Sequence, residues 1–394
     1  MTVALSPRYA PDYAITINGS PLPAPLRTAV TSVRYQDGRQ AADRVEVGLA
    51  NPDLRWLREH VRGLGFSVPT GVRIGPVGVT GLPPGLLDLD NAVNLSLGYA
   101  GSPLEPVFEG DLTGLTMSFP NGGMPSVTLI AHDHLHRLAQ GSAARGFGLL
   151  PDFLIASILA AENLLLPSID PTIIGASTAI AALNFVFGGS GRKQRGQSDL
   201  QFLAEIANSY DADFWVEGNV LYLSRFLKEY TPRMTLAWGQ SLLDFAPRIS
   251  TVGQVAGVSM KFTLREIPLD FLVTVFWDFD RETLGVSVLP GVAAAAGLPF
   301  SGPALTVIDQ PIASPADITT SALRIYSDLR RRLNSRLTGS ASAIGDPAIR
   351  AGAVIRLEGL GPDFSGDYRI TAATHTIDTG GYRTNFDVCK EILP

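Results

Sequence analysis

The residues best suited to do chemistry in this chain stand together at Ala131-His132-Asp133-His134-Leu135-His136. On a β-strand, His132, His134 and His136 would share one face, and imidazoles two residues apart can share a zinc ion. Three neutral imidazoles and a water would make a zinc site of the catalytic type. A strand that ends here runs instead into a helical turn, with Leu135 and Leu138 packing and the histidines pointing to solvent. The run Leu135-His136-Arg137-Leu138-Ala139 favours that second reading, and no fourth ligand stands at a recognisable spacing. Carboxylates are the next candidates: Asp152 with Glu162, or Glu105, Glu109 and Asp111, could pair for glycan hydrolysis. Asp152 is better accounted for as a helix-start residue. The stretch Gly188-Gly189-Ser190-Gly191-Arg192-Lys193 lacks the spacing of a phosphate loop and reads as a flexible turn. A Gly-x-Ser-x-Gly nucleophile elbow is absent. Cys389 is the one cysteine, which excludes an intramolecular disulfide framework and a cysteine-rich metal site. It reads as a small buried hydrophobe at a strand end. No catalytic, cofactor or metal site is assigned.

With 394 residues, the chain is long enough for two to three domains of ~150 residues each. Hydrophobic residues at 45% and charged residues at 17% supply large cores and exclude a disordered chain. A net charge of −6 leaves no basic stripe to grip phosphates, so nucleic acid is not expected as a primary ligand. The opening residues, MTVALSPRYAPDY, lack a basic segment followed by an apolar one, and no secretory signal is read there. Thr172 to Gly188 is the most apolar run. Its Asn184 and small polar residues make it a buried or interface segment, not a membrane helix. Synthesis in the cytoplasm is the expectation.

The elements that must carry these residues are strands at both ends and helices between. Tyr13–Ile17, Val30–Tyr35, Arg44–Leu49, Ala92–Tyr99, Pro106–Phe119 and Pro125–His132 alternate as strands, with Asn18-Gly19 a turn pair. A short helix is expected over Leu54–Val61, and Gly63–Gly85 breaks regular structure. Asp152–Leu166 and the segment opened by Gln197-Ser198-Asp199-Leu200 are helical, and residues 214–217 and 220–223 make a tight hairpin. Strands return at 233–238, 255–264 and 271–279. Gly285–Ala304 reads as a long loop and Ile318–Arg336 as a helix. Ala353–Leu357, Tyr368–Ile377 and Tyr382–Val388 close the chain as strands. The expected fold class is α+β, mainly antiparallel β, with an α+β insertion at 145–230 between β-rich units at 1–144 and 231–394.

Three collinear segments resemble the phage late control gene D protein family, the central hub of contractile tails, related to the hub part of the type VI secretion spike proteins called VgrG. Val107-Phe108-Glu109-Gly110-Asp111-Leu112, with Val127 to Asp133 and Leu135-x-x-Leu138, is similar to the family's F-x-G strand and its later strand ending in Asp before an apolar turn. Gln197-Ser198-Asp199-Leu200-Gln201-Phe202-Leu203 is similar to its Q-S-D-x-x-F-L helix. Gly366-Asp367-Tyr368-Arg369-Ile370, His375 and Gly381-Tyr382-Arg383-Thr384-Asn385-Phe386 resemble its closing hairpin.

The resemblance implies two tail-tube-like β-barrel domains around the insertion and a homotrimeric ring that adapts a sixfold tail tube to a threefold spike. It implies as partners a separate spike or tip protein, the tail tube protein, and baseplate and tape-measure proteins. The implied location is a phage tail or contractile injection particle. Phe108, Gly110, Asp133, Leu200, Leu203, Tyr368 and Tyr382 are then residues that maintain the fold. The fused spike relatives continue into a barrel and needle where this chain stops, so the apolar Ile392 and Leu393 are expected to contact the spike. A tail-associated metal-dependent or glycan-cleaving enzyme, or a carbohydrate-binding β protein, would be the alternative. Neither the enzyme nor a cofactor is expected.

Overall fold

The computed structural model describes residues 10–52, 86–187, 189–225, 230–250, 257–264, 270–278, 281, 283–290, 304–312 and 315–392. The helix expected at Leu54–Val61 and the broken stretch Gly63–Gly85 lie outside the described residues.

Alternating burial builds the strands. Arg44–Ala50 and Ser126–Asp133 both bury every second residue, as a sheet with one covered face requires. Thirteen strands share one sheet. Its first part runs Ser20–Pro21, Pro11–Ile17, Ala92–Tyr99, Glu105–Ser118, Ser126–Asp133, Arg44–Ala50, Val30–Asp37, with antiparallel pairing throughout. The second part continues through Gly366–Asp378, Gly381–Cys389, Leu337–Ile344 and Leu242–Ile249.

The long strand Gly366–Asp378 joins the two parts. Gly381–Cys389 pairs along one of its edges. Its other edge is divided: residues 366–369 pair with Val354–Leu357, and residues 373–377 pair with residues 33–37. The two β-rich ends are therefore one continuous sheet, and no ladder closes into a barrel among the described residues. Met234–Ala237 is joined to Leu242–Ile249 by a tight turn, in which Gly239 N donates to Leu242 O at 3.1 Å, and not by a ladder.

Two of the expected strands, at 255–264 and 271–279, are present, and the loop expected from Gly285 differs. Gly257–Leu264, Asp270–Asp278, Thr283–Pro290 and Ala304–Ile312 form a separate four-stranded sheet, on which the helix Pro315–Asn334 packs through Ile325, Leu329 and Leu333. The part of the expected loop that is described, 285–290, belongs to a strand paired with Asp270–Asp278. Low charge suggested a loop, but backbone pairing sets Leu284 opposite Trp277 and Val286 opposite Val275.

The insertion has a core of its own, which begins at Leu135 and Leu138 and ends at Leu221 and Leu223. Its helix Asp199–Ser209 starts with a reciprocal cap: Gln201 N donates to Ser198 Oγ at 3.2 Å, and Ser198 N to Gln201 Oε1 at 3.1 Å. Phe202, Leu203, Ile206 and Ala207 then face the core. Leu203 is fully buried. Leu203→Ala is expected to cost about 2–5 kcal/mol, read as a lower denaturant midpoint with an unchanged slope.

Candidate functional site

The strand carrying His132 ends one residue later. Asp133 turns its carboxylate back to accept Leu135 N at 3.1 Å and starts a 3-10 turn over His134–Ala139. The pleat is lost, so the three imidazoles do not share a strand face. Each is bound locally through Nδ1: His132 at 2.6 Å from Thr113 Oγ1, His134 at 2.9 Å from the Gly218 carbonyl, His136 at 2.7 Å from the Asp133 carbonyl. The Nε2 atoms of His134 and His136 lie 3.6 and 3.9 Å from Asp111, which Arg137 grips through Nε and Nη2 at 3.1 and 2.8 Å. Burial works against the Asp111 charge, but bonding from His134 and Arg137 outweighs it and holds the carboxyl below its usual pKa. Among the described residues, no group of three or more His, Cys, Asp or Glu side chains is placed to hold a metal ion.

Of the carboxylates considered for glycan hydrolysis, Asp111, Asp152 and Glu162 serve the fold. Asp152 receives both Arg192 Nε and Nη2, at 3.0 and 2.9 Å, and the Tyr210 hydroxyl at 2.6 Å. Glu162 is bound by Arg145. Glu105 and Glu109 are exposed on a strand that buries Asp111. In the glycine-rich stretch, Gly188 lies outside the described residues, and Gly191 crosses the Gly148 carbonyl so closely that a Cβ would overlap it. Close packing explains this glycine without a phosphate. Burial raises the Cys389 thiol to about 11, so at neutral pH it is almost wholly protonated and reacts slowly.

The family-matched residues are packed. Phe108 is buried edge-on to Tyr35, with ring centroids 6.0 Å apart. Gly110 passes under the His132 carbonyl. Leu200 packs half-buried on the insertion core. Tyr368 is fully buried and donates its hydroxyl to Phe364 O at 2.7 Å. Tyr382 lies over Gly345, with its hydroxyl 2.9 Å from His375 Nδ1. Because His375 Nε2 is 3.0 Å from the Ile349 carbonyl, which can only accept, that nitrogen carries the proton. At the chain end, Ile392 is half-buried against the helix-and-sheet core that contains Leu329 and Leu333, and its N–H donates to Asn334 Oδ1 at 2.9 Å. This apolar residue was expected to contact the spike, and here it packs on the chain's own core. Leu393 lies outside the described residues.

Sequence reasoning missed a junction built by residues 37–43, where three parts of the chain meet. Asp37 Oδ2 accepts from Arg350 Nε at 2.7 Å and from Ala351 N at 2.9 Å. Arg39 donates to Ala351 O at 2.6 Å and lies 4.0 Å over the Trp215 ring. Gln40 donates to Asp213 at 2.5 Å. Asp43 accepts the Tyr35 hydroxyl at 2.7 Å and Gly38 N at 3.1 Å, and Tyr35 stacks on His375 at 5.6 Å. The only signal in the sequence was a polar Gln-Asp-Gly-Arg turn.

Burial and the neighbouring Asp37 charge push Asp43 up to about 7; burial and the Asp43 charge push Asp133 up to about 8. A carboxyl raised in the folded state favours folding fully below its unfolded value near 4, and that contribution is lost as pH rises through 7–8. Burial lowers His375 to about 4, which has the opposite effect, but only below its unfolded value near 6.5. Between pH about 6.5 and 8 the thermal midpoint should therefore fall, and Asp43→Asn should lessen that slope by removing its own titration and the charge that raises Asp133. A wild-type midpoint that is flat over this range would contradict the assignment.

Several large apolar side chains are uncovered. Phe119 and Met124 flank a hairpin tip, and Phe185 and Val186, 77% and 71% exposed, end the uncharged helix Pro171–Phe187. Among the described residues, no helix is long and apolar enough to cross a membrane.

No family model matches the chain, and no curated protein matches its sequence. Solved structures do match. The 43 kDa tail protein of prophage MuSo2 from Shewanella oneidensis is 11% identical with a TM-score of 0.60, covering 96% of this chain and 98% of that one. A tail protein from Neisseria meningitidis is 11% identical with a TM-score of 0.57, covering 97% of each chain. The E. coli c3393 protein, a type VI secretion component with structural similarity to the phage T4 tail proteins gp27 and gp5, is 11% identical with a TM-score of 0.51, covering 96% of this chain and 80% of its own. Over nearly its whole length, the chain has the fold of these tail and secretion proteins.

Proposed function

We propose that the protein is a structural baseplate hub of a contractile tail or contractile injection system, in the late control gene D family. The observation that carries this reading is the shared fold, which spans 96% of this chain and 98% of a phage tail protein. The site chemistry agrees with it: the three histidines, Asp111, Asp152 and Glu162 are held by internal partners, which leaves surfaces and strand edges to carry the function.

In this reading three copies form a ring, each contributing two tube-like barrel domains, 1–144 and 231–394, around the insertion 145–230. The ring joins a sixfold tube to a threefold spike and contacts baseplate and tape-measure proteins within the assembled particle. Phe108, Gly110, Asp133, Leu200, Leu203, Tyr368 and Tyr382 maintain the fold and do no chemistry. Ile392 and Leu393 sit at the spike contact, where the internal bonds of Glu391 and Ile392 hold the chain end in a fixed position.

Light scattering of the purified chain at tens of micromolar tests the ring directly. A species of three times the 41.9 kDa chain mass is expected. A chain that is monomeric there, and also in assembled particles, would refute the hub. Deleting Ile392–Pro394 should weaken spike attachment and leave the ring intact.

A further inference from the structure

An open cavity of about 350 Å³ lies between the insertion, the helix Pro315–Asn334 and the closing strands. Arg39, Arg330, Arg331 and Arg369 line it, against Asp213 and Glu391. Both carboxylates are engaged. Glu391 accepts Arg369 Nε and Nη2 at 2.6 and 3.0 Å, and Asp213 accepts Gln40.

Arg39 donates to Ala351 O, and the two arginines on the helix, Arg330 and Arg331, are placed around Asp211. Arg330, 8% exposed, forms an ion pair with Asp211 through Nε. That nitrogen has no aligned acceptor, and no N–H of the Arg330 guanidinium makes a hydrogen bond among the described residues. Arg331 is held by Ser327 Oγ at 2.6 and 3.2 Å and by Asn208 Oδ1 at 3.4 Å. Ser327 in turn donates to Asp211 at 3.0 Å. Arg330 directly and Arg331 through Ser327 thus converge on Asp211, and the buried guanidinium keeps unused donors beside an open cavity. Unmatched donors of a buried guanidinium are costly, and a planar or tetrahedral oxyanion matches their fork geometry.

We infer that this cavity binds an oxyanion, a carboxylate or phosphate group, through the free donors of Arg330 with Arg331 at the rim. Bound there, it would tie together the insertion, the helix and the closing strands. The group could come from a free phosphate-like ion or from an acidic residue of a partner chain.

Cys389 lines the same cavity, so alkylation of the chain's one cysteine reports whether it is occupied. The test uses the full chain with inorganic phosphate against chloride at equal ionic strength, and in a second arm a short glutamate-rich peptide. Occupancy should raise the thermal midpoint by about 2 °C or more and slow Cys389 alkylation severalfold. Arg331→Ala, and independently Arg330→Gln, should abolish both effects. A response to phosphate identifies a free ion, and a response to the peptide alone identifies a partner's carboxylate. If neither ligand changes either readout, or if both variants respond like the wild type, the two arginines merely complement the helix C-terminus and the inference fails.

Discussion

Glu391→Ala should lower stability by about 3–5 kcal/mol, because it leaves the Arg369 guanidinium buried without its counter-charge. The side chains of the pair are 7% and 5% exposed. Arg369 also donates Nη1 to Gly352 O at 2.9 Å and lies 5.6 Å from the Tyr230 ring. It therefore cannot swing out to water without breaking other contacts. The same substitution frees the chain end, since Glu391 N donates to the Tyr230 hydroxyl at 3.3 Å. Equilibrium denaturation measures the cost, and limited proteolysis at the C-terminus reports the release. Replacing both partners with apolar residues of similar volume should recover most of the loss. A cost below about 1 kcal/mol would mean that water screens the pair as it screens surface ion pairs.

Gly110→Ala should be comparably damaging for a different reason. Gly110 pairs with Asp133 across the sheet, and an added Cβ would overlap the carbonyl oxygen of His132 and crowd the Phe108 ring. The obstacle is backbone in a ladder that continues on both sides, so it cannot rotate away. A cost of about 3 kcal/mol is expected. Moving the ladder would also shift Asp133, which starts the turn into the insertion. Four residues along the same strand, Gly114 provides the control. A Cβ there would meet Ile130 at 3.6 Å, an ordinary contact, so Gly114→Ala should be neutral or slightly stabilising. Equal effects at the two positions would rule out the crossing at Gly110 as the cause.

Local rules were legible in the sequence where neighbours in the chain decide them. Asn18-Gly19 adopts the positive φ values, 51° and 75°, that the turn pair announces. Ser198 caps its helix, and the 214–217 and 220–223 hairpin forms in register. Asp133 is the instructive case for the site: an acid before Leu-x-x-Leu is a cap, and that assignment alone dissolves the three-histidine face. What was not legible depends on partners distant in sequence. Asp37 meets Arg350, and no pattern within either segment signals the other. The split edge of Gly366–Asp378 is hidden for the same reason, because alternation identifies a strand but not its neighbours. Residues 285–290 were misread since low charge and glycine describe an exposed edge strand as well as they describe a loop.

The divided strand also sets a timetable for synthesis. Among the described residues, 33–37 form their outer ladder with residues 373–377, which leave the ribosome about 340 residues later. At ~5–20 residues per second, that leaves the Val30–Asp37 edge without its partner for tens of seconds. During that interval the nascent N-terminal sheet exposes a strand edge to other nascent chains, including those on the same messenger. Yield in the cell should therefore depend on how quickly the last segment arrives or on a chaperone that covers the edge. Truncation shortly before residue 366 should produce aggregates in place of a soluble half-protein.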